Sequence, residues 1–386
     1  MMTPTPDVSV RTHFAAVDDP RVDRTKRHQL LDILTIALCA VICGADTWVE
    51  VEEFGHAKEA WFATFLTLEQ GIPAHDTFGR VFARLDPEQF GRCFPRWVEA
   101  IQQVMPLPAG RQEVIAFDGK TLRRSHERGA GKGASHRVSA WATGRRLVLA
   151  QTHVDETSNE ITALPVLLRQ LALAGCIVTI DALVGCQTAI ARQIVEQGGD
   201  YGLALKGNQG TLAADVELLV TEGRATAFEG IIHDTHTTTE KDHGRLEIRR
   251  HWTIQDPAYI AYLNPTGSWV SLRGVGLVEE ERRVGTAVST ERRYYILSQP
   301  LSARSFGAAV RSHWGIENRV HWILDIAFRE DESRIRTDHA PANMAILRPI
   351  ALNLLTQERT AKVGTKAKRL KAGWDPSYLL TVLQAN

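Results

Sequence analysis

The chain has 386 residues, a formal net charge of zero and 44% apolar side chains. That length holds two or three domains with a sizeable core, and that apolar content excludes disorder except at the ends. Net charge by itself gives no footprint for nucleic acid, but the charges are unevenly placed. Residues 119–146 carry Lys120, Arg123, Arg124, Arg128, Lys132, Arg137, Arg145 and Arg146 against Glu127 alone. Residues 359–371, RTAKVGTKAKRLK, are basic and lack an acid. Local stretches of this kind suit a phosphate backbone, and they equally suit solvated faces balanced by acids elsewhere.

Residues 1–25 read as a flexible lead-in. Residues 26–105 read as a small all-helical domain. Within it, residues 30–44, LLDILTIALCAVICG, form a core helix too short for the roughly 20 residues of a membrane span. A second helix is expected over Thr47–Leu66 and a third in HDTFGRVFARL with Asp76 as N-cap. A fourth is expected over Pro87–Val104, with Asp86 as cap and Pro87 at its first position. PLPAG marks a linker. The N-terminus lacks the basic-then-apolar order of a signal peptide, and Cys39, Cys43, Cys93, Cys176 and Cys186 show no zinc spacing. A reducing, cytoplasmic setting without membrane attachment is expected.

From residue 111 the period changes. Strands are expected at Val114–Phe117, ending in Asp118, at Val138–Thr143 and at Leu147–Val154. Then come a helix over Ile161–Leu173, a strand over Ile177–Ile180 ending in Asp181, a helix over Gln187–Glu196 and a strand over Tyr201–Lys206. Three strands, helix, strand, helix, strand define a mixed α/β sheet. A helix follows to about 225, and residues 230–300 read as a β-rich insertion. Residues 305–329 read as one amphipathic helix capped by Ser305, and 342–356 as another, with 359–386 a basic C-terminal tail.

Residues 311–336, RSHWGIENRVHWILDIAFREDESRIR, hold Glu317 between aromatic and apolar residues. A carboxylate close to an apolar face is costly unless a cation or metal meets it. Asp118 and Asp181 each close an apolar run. A sheet can gather two acids from neighbouring strands and a third from a helix into an oxygen-rich pocket for two Mg²⁺ ions, with Mn²⁺ as substitute. Alone, each acid could instead be a turn, cap or ion-pair residue. Asp325, Glu330 and Asp331 are expected to pair with Arg329, Arg334 and Arg336, and Trp314 and Trp322 to lie in the core. Candidate DNA contacts are Lys120, Arg123 and Arg124 after Asp118, Lys206 and Asn208 after the last core strand, Arg245 in the insertion, and His313 and Arg319 around Glu317.

The segments IAFDGKTLRRS, IVTIDALVGCQ, ALKGNQ, DHGRLEIRR and HWGIENRVHWILDIAFREDESRIR resemble the DDE transposases of bacterial insertion sequences, the family that includes the H-repeat-associated proteins. The resemblance covers nearly the whole chain. It implies a ribonuclease-H-like catalytic domain over 111–358, preceded by a transposase-associated helical domain. It also implies Asp118, Asp181 and Glu317 as metal ligands, double-stranded DNA as substrate and a homodimer on DNA. The wider pattern Y-x2-R-x3-E-x6-K is replaced here by Val310, His313 and Leu324 around Glu317. Other readings are a DNA-binding remnant that has lost catalysis and a metal-dependent phosphoesterase for small substrates.

Overall fold

The apolar runs of the middle of the chain become nine strands: β1 (Val114–Thr121), β2 (His136–Ala142), β3 (Leu147–Val154), β4 (Ile177–Ile180), β5 (Asp200–Leu205), β6 (His233–Asp242), β7 (Arg245–Ile254), β8 (Gly274–Val284) and β9 (Ala287–Leu297). They hydrogen-bond in the order β3-β2-β1-β4-β5-β9-β8-β7-β6. The protein is seen here as a computed structural model that describes residues 7–108, 110–121, 136–154, 160–181, 186–206, 209–242 and 244–384. With flanking helices and an N-terminal helical region, this is a mixed α/β fold of the ribonuclease-H-like kind. Contacts divide the chain into two units, one of Met1–Ala109, Gly119–Asn159 and Glu317–Asn386, the other of Gly110–Asp118 and Glu160–Ile316.

In the second of these, β1 and β4 run parallel with Val114 opposite Ile177 and Phe117 opposite Ile180. β4 and β5 are also parallel. All four β4 residues are buried, as in a parallel strand covered on both faces. β9 then pairs antiparallel with β5 and leads into the β8, β7 and β6 ribbon. This is the β-rich insertion, and a short helix, Pro257–Leu263, interrupts it. The helix Ala303–His313 closes over this sheet through a core of Val114, Ile177, Ala204, Val278, Tyr295 and Phe306, with Trp314 packed at its edge. β1 does not end at Phe117 as expected. It continues to Thr121 because β2 lies beside it, so Asp118 sits within the strand.

In the other unit, the helix Leu30–Cys43 is buried on nearly every side and stops at Gly44, whose φ of 116° suits only glycine well. The expected helix over Thr47–Leu66 is two, Trp48–Ala57 and Glu59–Phe62, the first opened by a capping box of Thr47 and Glu50. Asp76 is not an N-cap. Ala74 holds that place, and Asp76 lies in the first turn of His75–Arg84. Asp86 does cap Pro87–Val104. β2 and β3 form an antiparallel pair. Asn353, on the helix Ala340–Gln357, bonds both the N–H and the carbonyl of Val148.

The basic run 359–371 is not an open tail. Much of it lies in the helix Thr365–Trp374, followed by Pro376–Leu383. Lys368 is buried and donates to the Leu355 carbonyl at 2.8 Å, while Arg369 is buried and donates to the Val41 carbonyl at 2.7 Å. These two cations close helix ends, which leaves Arg359, Lys362, Lys366 and Lys371 as the exposed or partly exposed charges of the run. Among the described residues no single helix is long and apolar enough to cross a membrane.

Candidate active site

Asp118 lies in β1 one residue after Phe117, and Asp181 comes one residue after β4 ends at Ile180, the register partner of Phe117. Neighbouring strands lie about 4.8 Å apart. Both acids are half-buried. Thr179 stands on β4 two residues before Asp181, and its hydroxyl lies 3.0 Å from Nδ1 of His313. The helix Ala303–His313 therefore lies against Thr179 of β4, and Asp181 is near enough to influence His313.

His313 is 8% exposed. Burial pulls its imidazole down to about 4, against the opposing charge of Asp181, so the ring is neutral at pH 7. The buried ring bonds Thr179, as a structural histidine does. Next to it the Arg293 guanidinium stacks over the Trp314 ring at 4.5 Å.

The segment after His313 is not the uniform helix expected over 305–329. Ser302, not Ser305, caps it, accepting from the Ser305 N–H at 3.2 Å. Residues Glu317–His321 form a π-helical turn, and regular helix resumes over Trp322–Ile326. One extra residue in such a turn shifts every later side chain around the axis, a feature common at functional sites. Glu317, Asn318 and Arg319 are exposed, whereas Val320, His321 and Leu324 are buried. Glu317 thus carries no burial penalty, and the expectation of a carboxylate pressed on an apolar face is corrected. Trp322, expected in the core, is 58% exposed.

The acids expected to pair with Arg329, Arg334 and Arg336 have other partners. Lys120 pairs with Asp325 and lies 3.5 Å from Glu330 and 3.8 Å from Asp331. Glu330 also pairs with Arg137 at 2.8 Å and approaches Arg348 at 3.7 Å. Lys120 is therefore committed to carboxylates rather than presented to a phosphate. Arg137 and Arg348 were not singled out from sequence, although Arg348 was findable as the one charge inside the apolar run AILRPIAL.

Of the remaining candidates, Lys206 is exposed just after β5 and Arg319 is exposed in the π turn. Arg245 lies on β7, paired with Glu247 at 2.8 Å. Arg123, Arg124 and Asn208 lie outside the described residues.

Among the described residues no group of three or more His, Cys, Asp and Glu is arranged to hold a metal ion. Asp118 and Asp181 are nevertheless an all-oxygen donor set, the kind that suits hard divalent cations. Glu317 belongs to the other unit of the chain.

The mixed α/β sheet with its flanking helices is consistent with the ribonuclease-H-like fold of DDE transposases, and the chain belongs to that family. The family described as Transposase DDE domain matches residues 109–354, and the one described as DDE_Tnp_1-associated matches residues 11–98. Within the family the chain is 38% identical over 375 residues to "H repeat-associated putative transposase YhhI" of Escherichia coli (strain K12), covering 96% of each. It is 36% identical over 378 residues to "Putative transposase YncI" of Escherichia coli O157:H7, covering 97% of this chain and 94% of the relative. A shorter match, 38% over 72 residues and 19% of this chain, is to "Inactive transposase YbfQ" of Escherichia coli (strain K12).

Proposed function

We propose that this chain is an active insertion-sequence transposase that cuts DNA at the ends of its element and joins the freed strand to target DNA. What supports this reading is that Asp118 and Asp181 each come directly after one of the register partners Phe117 and Ile180 of two neighbouring parallel strands. Glu317, exposed at the head of a π-helical turn, is the third acid by the family pattern. In this reading 26–105 is the associated helical domain, 111–358 the catalytic domain, and 230–300 its insertion.

When bound, two Mg²⁺ ions, or Mn²⁺ in their place, activate a water or a 3′-hydroxyl and stabilise the leaving oxygen of a phosphodiester. Asp118 would hold both ions, and Asp181 and Glu317 one each. Thr179 and His313 lock the strand that leads to Asp181 under the helix Ala303–His313. In this reading Lys206 and Arg319, both exposed, contact phosphates, with Arg245 a weaker contact that shares its charge with Glu247. Double-stranded DNA is the substrate, and two copies of the chain on one DNA hold both ends.

The second reading, a DNA-binding remnant without catalysis, draws on the shorter match to a relative named "Inactive transposase YbfQ". One experiment separates the two. A DNA fragment carrying the element's own terminal repeat is incubated with Mg²⁺ and either the wild type or Glu317→Gln. Strand cuts at the repeat boundary in the wild type alone support the active transposase. Binding without cuts in both, with Mn²⁺ also tried, supports the remnant.

A further inference from the structure

Lys120 stands two residues beyond Asp118 on β1, and its side chain is 13% exposed. Its ammonium is shared among Asp325, Glu330 and Asp331, which follow Glu317 by eight to fourteen residues. Glu330, with a side chain 0% exposed, turns its other oxygen to Arg137 on β2 and towards Arg348 on the helix Ala340–Gln357. Three cations thus face three acids, and the groups come from β1, β2, the segment after Glu317 and the helix Ala340–Gln357. His321, the last residue of the π turn, is buried and feels both Lys120 and Glu330.

A buried ionic cluster of this kind adds little stability over apolar packing of the same volume, because desolvation of the ions offsets their attraction. What it does supply is a fixed geometry, since every displaced member would strand a buried charge. The cluster grips the chain two residues after one proposed metal ligand and a few turns after another. Recruiting Lys120 to a phosphate would take from Asp325 the cation it pairs with.

We infer that the cluster is a positioning device in which Lys120, held by Asp325 and Glu330, fixes the strand beyond Asp118 against the segment that follows Glu317. The inference rests on the reading of Asp118, Asp181 and Glu317 as metal ligands. Lys120 is a positioning residue, acting through the backbone that presents a ligand. Groups that hold metal ligands in place typically change metal affinity by about 10–100-fold when removed.

The test uses the full chain as Lys120→Met, Asp325→Asn, the double variant of both, and Asp181→Asn, with three readouts: thermal unfolding, Mn²⁺ affinity by titration calorimetry, and the salt dependence of DNA binding. Each single variant unbalances the charge of the cluster and unfolds at lower temperature. The double variant removes both charges and recovers most of that loss, so it carries the decisive comparison. We expect it to bind Mn²⁺ roughly tenfold more weakly than the wild type, with an unchanged salt slope for DNA. Wild-type Mn²⁺ affinity in the folded double variant would make the cluster merely structural and overturn the inference. A salt slope lower by about one would make Lys120 a phosphate contact and overturn it too. If Asp181→Asn leaves Mn²⁺ binding untouched, the metal-site reading itself fails. Loss in Asp181→Asn but none in the double variant sinks the positioning role alone.

Discussion

Phe117 and Ile180 are register partners on adjacent parallel strands, and Asp118 and Asp181 are the residues that come directly after them. In the proposed site the two acids bind metal rather than support the fold. Asp181→Asn should therefore retain the wild-type unfolding temperature in the absence of metal. It should lower strand cleavage by at least about a thousandfold, the several kcal/mol a metal site supplies to the transition state. Thermal unfolding and cleavage assayed on the same preparation check this. A variant that both unfolds early and cuts poorly would assign Asp181 to the fold.

Acid should weaken the protein in two separate windows. Burial, aided by Lys120, pulls His321 from its ordinary 6.5 to about 4. Between those values the unfolded chain takes up a proton that the folded chain refuses. The stability gained by keeping the ring neutral is complete above pH 6.5 and is lost as pH falls towards 4, up to about 3 kcal/mol. Glu330 acts in the same direction at lower pH. Burial alone would push its carboxyl up, but Arg137, Arg348 and Lys120 outweigh it and hold it at about 2. Its stability is present above the ordinary 4.5 and is lost only as pH falls from there towards 2. Urea unfolding of the wild type and His321→Gln at pH 7, 5.5 and 4.5 separates the windows. The variant should lose much of the slope in the upper window. Parallel curves would mean that His321 does not titrate on unfolding.

The sheet core was legible because its signals are local. β4 is a run of four apolar residues between turn signals, and the runs at Ile177–Ile180 and Leu147–Val154 match the strands found. The helix at Pro87 was marked by a cap and a proline. The π turn at Glu317 left no such mark, since one extra residue in a turn alters no residue type and only shifts which side chains are buried. Hence Trp322 was expected inside and lies outside, while Glu317 was expected against apolar groups and is exposed. The ion partners were misassigned for a related reason. Nearby arginines look like the natural mates of Asp325 and Glu330, but Lys120 and Arg137 come from about 200 residues away in sequence, with |i−j| of 205 and 193 for the two bonds. Sequence distance says nothing about such pairs until the strands are in register.

Removing the carboxylate at the centre of the ion cluster should be among the most costly single changes in the chain. Glu330 is completely buried, and without its charge Arg137 and Arg348 face each other out of reach of water. Breaking one partner out of a buried charge network costs about 3–5 kcal/mol. Glu330→Gln should therefore shift the urea midpoint strongly downward with little change in slope. A shift under about 1 kcal/mol would mean that water reaches the cluster and solvates the two guanidinium groups.

Contact of Gly276 with Phe306 gives a last expectation, on the insertion side of the fold. Gly276 lies on β8, and a methyl group added there would fall 2.4 Å from Cζ of Phe306. That ring is held edge-on to Tyr295 at 5.3 Å and to His251 at 6.4 Å, so it cannot swing aside without disturbing both. Phe306 belongs to the helix Ala303–His313, which ends at the imidazole that bonds Thr179. Gly276→Ala should cost about 1–3 kcal/mol by overpacking. It should also slow cleavage more than it weakens DNA binding, because the helix that lies against Thr179 must lift. Adding Phe306→Leu opens room for the methyl group and should recover part of both losses, which a simple loss of strand propensity at Gly276 would not allow. If Gly276→Ala is neutral in urea unfolding, the helix is not seated on β8 as described, and the placement of His313 against Thr179 loses its support.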